Sequence, residues 1–312
     1  MNMQTSLTSS LMLRTPVLAA SGTFGYGREV LDLTDSADLG ALITPTLTVL
    51  PRDGNPMPRT VEAHSGILHS LGIPNPGLDS FVREIAPSLR ERPYPVIASV
   101  WGDSLEEWKQ LAEGLTAAGI VAALELNLTP RNLLFAEHCA EPPLSEARLL
   151  ENLAEAIAAV RSGTSLPLIA KLPAMGIEIG AAGRAAEQAG ADAVSVSQAF
   201  PGVAVRLSAR GFRLPGIVGG LSGPAIKPLA LYQVWRVAQC VQVPILGSGG
   251  IMTADDALEF LTAGASAVAV GVAGFIHPGA VVQIAHDMWQ YLVQNGHEDL
   301  HTVIGMAARQ LR

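Results

Sequence analysis

Cysteine is nearly absent from this chain: its 312 residues include only Cys139 and Cys240. Two isolated cysteines build neither a disulfide framework nor a CxxC metal pair, which argues against a resident zinc or iron–sulfur centre and fits a reducing, cytoplasmic setting. Positive charge is also scarce, with 20 Lys and Arg against 28 Asp and Glu, a formal net charge of −8. Without a basic run there is no cationic surface to neutralise a phosphodiester backbone, so nucleic acid is not an expected partner. Long hydrophobic runs are missing too. Arg14 and Pro16 interrupt the N-terminal segment before a signal-peptide core can form, and no stretch reaches the roughly 18 apolar residues of a membrane span. The expectation is a soluble chain without a membrane partner.

What is present is apolar residue in short pieces. Hydrophobic residues make up 49% of the chain and charged residues 15%, enough for burial to offset chain entropy and to exclude a mainly disordered protein. A single domain spanning 1–312 is expected from the length. Eight short apolar runs occur at 16–22, 41–46, 96–102, 122–128, 167–173, 191–198, 244–250 and 267–272. Their near-continuous apolar character suits strands covered on both faces. Between them lie helical patterns at 104–118, 146–161, 179–189 and 253–263, with Ser104 and Thr253 as N-cap residues and Gly190 closing the third. This alternation predicts the α/β class and a single (β/α)8 TIM barrel; an open, doubly wound sheet is the alternative.

In either architecture a ligand sits at the C-terminal ends of the strands. Gly249 and Gly250 end the seventh run, and Gly271 and Val272 end the eighth. Backbone N–H groups at such glycines can converge on a phosphate, although glycine also simply permits tight turns. Residues 219–224 form a third glycine-rich stretch, read as a loop. Lys171 interrupts an apolar strand, which calls for either a bound polar ligand or an internal salt bridge. Asn127, ending the fourth run, either faces the same cavity or is satisfied in the core. The connections 47–77 and 129–144 have no helical period and read as binding loops or lids.

At these residues the chain resembles the class 1 dihydroorotate dehydrogenases. The resemblance runs almost end to end, through Ala20-Ser21-Gly22, Asn75-Pro76-Gly77, GGLSGPAIKP at 219–228 and AGASAVAVG at 263–271. The last two are similar to the subgroup that pairs with an iron–sulfur and FAD electron-transfer subunit. The resemblance implies FMN at the C-terminal face, a homodimer, and oxidation of dihydroorotate to orotate in pyrimidine biosynthesis. It assigns FMN to Ser21, Thr46, Ser99, Asn127, Lys171, Ser197, Gly223, Gly249, Gly250, Gly271 and Val272. Ser99 and Ser197 stand where the family usually has Asn and an aliphatic residue.

The substrate positions depart from the family. Its motif after the fourth strand reads Asn-hydrophobic-Ser-Cys-Pro-Asn, with the Cys as proton acceptor. Here Asn127-Leu128-Thr129-Pro130-Arg131-Asn132 puts Pro130, which can neither accept nor donate a side-chain proton, at the base position. Pro45 stands for a lysine, His69 for a substrate asparagine, and Gln198-Ala199 for an Asn-Thr pair. The expected substrate contacts are His69, Gly72, Ile73, Asn127, Asn132, Gln198 and Ala199. Three candidates for a substitute base follow, of which Thr129, directly before Pro130, is an unactivated hydroxyl and a poor base near neutrality. His69 is either a functional imidazole or pocket filling; Cys139 beside His138 is either a thiolate–imidazole pair or an ordinary loop pair. Arg131 binds an anionic ligand group or reaches solvent. These changes predict a retained flavin scaffold with altered chemistry: dihydroorotate oxidation by another proton route, an FMN oxidoreductase for a different small substrate, or a catalytically silent homologue or partner subunit.

Overall fold

Each of the eight apolar runs forms a parallel strand, and the last strand pairs with the first. The structure, a computed structural model, describes residues 1–27, 29 and 38–309. An antiparallel hairpin, β1 (Thr5–Thr8) and β2 (Leu11–Leu13), precedes the barrel. The first four barrel strands are β3 (Val17–Ala19), β4 (Leu42–Ile43), β7 (Val96–Val100) and β8 (Ala123–Asn127). The remaining four are β9 (Leu168–Lys171), β10 (Ala193–Val196), β15 (Ile245–Ser248) and β16 (Ala267–Val270). Pairing of Val270 with Ala19 closes the ring, which decides for the barrel over the open sheet.

Alternate residues on these short strands point inward and outward. The inward set, including Leu18, Ile43, Ile97, Ile169 and Leu246, forms one buried cluster with Leu7, Leu11 and Leu13 of the hairpin. Thr5 hydroxyl donates to the Ser266 carbonyl just before β16, so the hairpin plugs the N-terminal mouth. The outward set packs against the helices in a second, larger cluster.

The helices follow the sequence pattern closely. A single turn, α1 (Leu78–Ser80), precedes α2 (Leu105–Ala118), whose N-cap Ser104 accepts from the Glu107 amide. The short α3 (Arg131–Leu134) and the long α4 (Glu146–Gly163) follow β8, and α5 (Ile179–Gln188) follows β9. Next come α6 (Lys227–Ala238), α7 (Ala254–Ala263), α8 (Val272–Ile276) and α9 (Ala280–Gln294). Thr253 and Asp256 form a reciprocal capping box on α7, satisfying two otherwise free backbone donors.

Two stretches read as loops are strands. The 47–77 connection contains the hairpin β5 (Thr60–Ala63) and β6 (Gly66–His69). The 219–224 glycine-rich stretch begins as β14 (Val218–Ser222), which pairs with β6 and with β11 (Phe200–Val203). The result is a four-stranded antiparallel sheet, β11-β14-β6-β5, beside a small ribbon of β12 (Val205–Arg206) and β13 (Gly211–Phe212). A strand rich in glycine carries little periodic signal, and one of its two partners, β6, lies about 150 residues away in sequence. The 129–144 connection is likewise not a bare loop, since α3 and a 3-10 turn at Ala136–His138 lie in it. Among the described residues no helix is long and apolar enough to cross a membrane.

Candidate active site

A cavity of two lobes opens at the C-terminal ends of the barrel strands. The first, of about 200 Å³, is lined by Ser197, Gly223, Gly249, Gly250, Gly271 and Val272, at the ends of β10, β14, β15 and β16. The second, of about 310 Å³, lies toward Pro45, Thr46, Gly72, Ile73, Asn127 and Thr129, with Leu133 and Leu134 of α3 on its wall. Ser21, Gly22, His69, Lys171, Gln198 and Ala199 line both. The strand ends and the added sheet therefore bring together most of the positions expected from the sequence.

At its glycines the first lobe is shaped by backbone. Gly250 has φ of +75°, and a Cβ there would lie 2.7 Å from the Lys227 backbone nitrogen, so no side chain fits. Lys227 is held in turn by Asp256 at 2.7 Å and by Glu259. Gly22, with φ of +78°, faces open space where a Cβ would project.

Lys171 joins the lobes. Its Nζ lies 3.5 Å from Glu125 Oε1, and Glu125 is only 1% exposed. Of the two readings of Lys171 the internal salt bridge is present, and the side chain also lines the cavity. The other carboxylate oxygen, Glu125 Oε2, has no hydrogen-bond partner among the described residues. Glu125 was missed in the sequence, although a signal existed: a glutamate in an apolar run, two residues before Asn127 and hence on its face of the strand. The β8–β9 register sets Asn127 directly opposite Lys171.

A hydrogen-bonded chain crosses the second lobe. Gln198 Nε2 donates to Asn127 Oδ1 at 2.7 Å, and Asn127 Nδ2 donates to Thr46 Oγ1 at 3.2 Å. Thr46 and Ser99 hydroxyls lie 3.0 Å apart. Ser99, expected among the cofactor contacts, is buried next to Thr46 and lines neither lobe. Ser21 Oγ donates to the Thr44 carbonyl at 2.8 Å, fixing its position at the junction. His69 Nε2 and Ser222 Oγ share a hydrogen bond of 3.1 Å. Burial, and then the Lys171 charge, push the His69 pKa down to about 4. The imidazole is therefore neutral at neutral pH and a weak proton acceptor there.

Three expected residues stay outside the lobes. Pro130 is the N-cap of α3, and its ring lines a neighbouring cavity of about 350 Å³. Asn132 lies on the same short helix, which turns Leu133 and Leu134 toward the second lobe instead. Cys139 follows the 3-10 turn and lines neither lobe, while its neighbour His138 is engaged elsewhere. Arg131 donates to His138 Nε2 at 2.7 Å, and His138 Nδ1 lies 2.7 Å from Glu141 Oε1. Arg131 also pairs with Asp103 at 3.3 Å, so its charge is spent on the outer side of the segment. The segment lines the second lobe with Thr129, Leu133 and Leu134; the Thr129 Oγ1 is buried and has no hydrogen-bond partner among the described residues.

Comparison with known proteins agrees with this architecture. The sequence profile of the family described as dihydroorotate dehydrogenase matches residues 3–292. A protein of Geotalea uraniireducens named dihydroorotate dehydrogenase B (NAD(+)), catalytic subunit, is 44% identical over 297 residues, covering 95% of each chain. Proteins with the same name from Desulforudis audaxviator and Geobacter sulfurreducens are 41% and 42% identical over 303 and 297 residues. They are covered to 96% and 95% of each chain. The chain belongs to the dihydroorotate dehydrogenase family.

Proposed function

We propose that the protein is an FMN-dependent oxidoreductase that exchanges hydride with a CH–CH bond of a small ring substrate. The observation that carries this reading is the single ammonium of Lys171, which lines both lobes and so reaches a ligand lying across their junction. FMN fits the residues present. The side-chain-free wall at Gly249, Gly250 and Gly271 leaves room for a ribityl phosphate, and Ser21 and Lys171 offer donors at the polar edge of an isoalloxazine ring. When bound, FMN supplies a two-electron acceptor for hydride.

The chain's own residues orient and enclose the reactants. Lys171 donates toward the cofactor while Glu125 holds its ammonium in place. Asn127, fixed by Gln198 and Thr46, presents a rigid amide to the second lobe. Leu133 and Leu134 cover that lobe with apolar surface and exclude water. Proton removal is the weak point. Thr129 is an unactivated hydroxyl, and His69 is too weak a base near neutrality, so oxidation of dihydroorotate is slow relative to an enzyme with a placed base.

The relatives are named catalytic subunits of B (NAD(+)) enzymes. By that likeness the reading includes a homodimer that passes electrons to a separate iron–sulfur and FAD subunit in the cytoplasm. The test is spectroscopic. Purified protein should carry a flavin absorption band with about one FMN per chain, and anaerobic dihydroorotate should bleach it slowly. A protein that holds no flavin would reject the reading.

A further inference from the structure

Resting on the flavin reading above, we propose that Glu125 is a positioning residue whose buried carboxylate sets where the Lys171 ammonium stands and how much positive charge it presents to the flavin. The argument begins with strand parity. Ala123 on β8 and Ile169 on β9 belong to the cluster inside the barrel. Glu125 and Lys171 each lie two residues further along and so face the same interior. Glu125 is only 1% exposed and lines neither lobe, whereas Lys171 lines both. Any influence of Glu125 on a ligand therefore passes through Lys171. A carboxylate buried this far is strongly unfavourable unless a cation meets it, and among the described residues Lys171 is its ion-pair partner.

The pair is exclusive on both sides. Glu125 Oε2 has no hydrogen-bond partner among the described residues. Its neighbour in register on β7, Ser99, shares its hydroxyl with Thr46 instead. Lys171 Nζ donates to Glu125 Oε1 at 3.5 Å and to no other described residue. An ammonium carries three N–H donors, so two are left for a ligand at the junction of the lobes. With no second donor on the carboxylate and no second acceptor on the ammonium, the position and effective charge of Lys171 depend on Glu125. That charge reaches across the junction: after burial, it is what lowers the His69 pKa. Reduction adds negative charge to a flavin ring, and an unopposed ammonium beside the ring favours it more than a matched one does.

Flavin stoichiometry and affinity for oxidised FMN are measured first, so a failure of the flavin reading is seen separately. The midpoint potential of the bound flavin is then compared between the native protein and Glu125→Gln. This variant keeps an acceptor oxygen for the ammonium and removes the negative charge. Its preference for reduced over oxidised FMN should rise about tenfold, the effect of one unit charge acting over roughly 10 Å in a protein interior. For a two-electron couple that is an upward shift of about 30 mV. Glu125→Asp keeps the charge but draws it back, so it should weaken FMN binding about tenfold and move the potential less than Glu125→Gln does. A native potential in Glu125→Gln, even with a lower melting temperature, leaves a purely structural role and overturns the proposal. Loss of FMN from folded Glu125→Gln overturns it as well. Should Glu125→Gln not fold, Glu125→Asp decides, and native FMN affinity in that variant overturns the assignment.

Discussion

The first lobe gathers the glycines at the ends of β14, β15 and β16, whereas the second draws its polar lining from Thr46, Asn127 and Thr129. At Gly249 and Gly250 positive φ and close neighbours leave no space for a side chain, so tight turns after β15 set the wall. At Pro45, His69, Asn127, Thr129 and Gln198 each residue contributes its own chemistry. A backbone-built site survives as long as the barrel and its glycines survive. A side-chain site can be rewritten one residue at a time.

The strongest way to break the comparison is to remove the residue common to both lobes. Lys171→Ala should cost about 3 kcal/mol of stability, because it leaves the Glu125 carboxylate buried and unpaired. It should also strip the flavin. Denaturation curves and the flavin content after gel filtration check both effects; retention of both flavin and stability would refute the bridging role.

His69 sharpens the side-chain half. Its folded pKa of about 4 lies below the ordinary 6.5, so as pH falls the unfolded chain takes up the proton first. The stability that neutral His69 contributes is intact above pH about 6.5 and is lost progressively toward pH about 4, by up to about 3 kcal/mol. Urea midpoints across this window should fall more steeply for the native protein than for His69→Gln. Equal slopes would place His69 in an ordinary solvated setting.

The backbone half is probed by Gly250→Ala. The positive φ and the 2.7 Å approach to Lys227 predict a loss of about 2 kcal/mol and weaker flavin binding. Binding of flavin at native affinity would show that this turn does not shape the lobe. The smallest effect is expected outside both lobes. Arg131→Ala removes an exposed pair with Asp103 and should change flavin and ring-ligand affinity by no more than about twofold in calorimetry.

The barrel was legible because all eight strands carry their own apolar runs and four helices carry their own periodicity and caps. Runs such as 122–128 and 167–173 need no distant information to read as strands. The added sheet was not legible: Thr60–Ala63 and Gly66–His69 are short, and β14 is glycine-rich, so their identity comes from pairing with one another. Site positions followed the same division. Glycines at strand ends lie where motif spacing puts them, because the strand end fixes the backbone. Pro130, Asn132 and Cys139 lie on a short helix and its following turn, where spacing gives a neighbourhood but not the direction of a side chain. Glu125 was legible in principle, as a carboxylate with no reason to sit in a strand unless a cation met it.

The central claim is that the lobe gathering Gly249, Gly250 and Gly271 at the strand ends, with Lys171 at its junction, holds a flavin nucleotide. Titrating flavin-free protein with FMN, followed by quenching of flavin fluorescence, tests it most directly. The account predicts saturation near one FMN per chain, abolished by Lys171→Ala and preserved by Arg131→Ala. An absence of saturable binding in the native protein would contradict it.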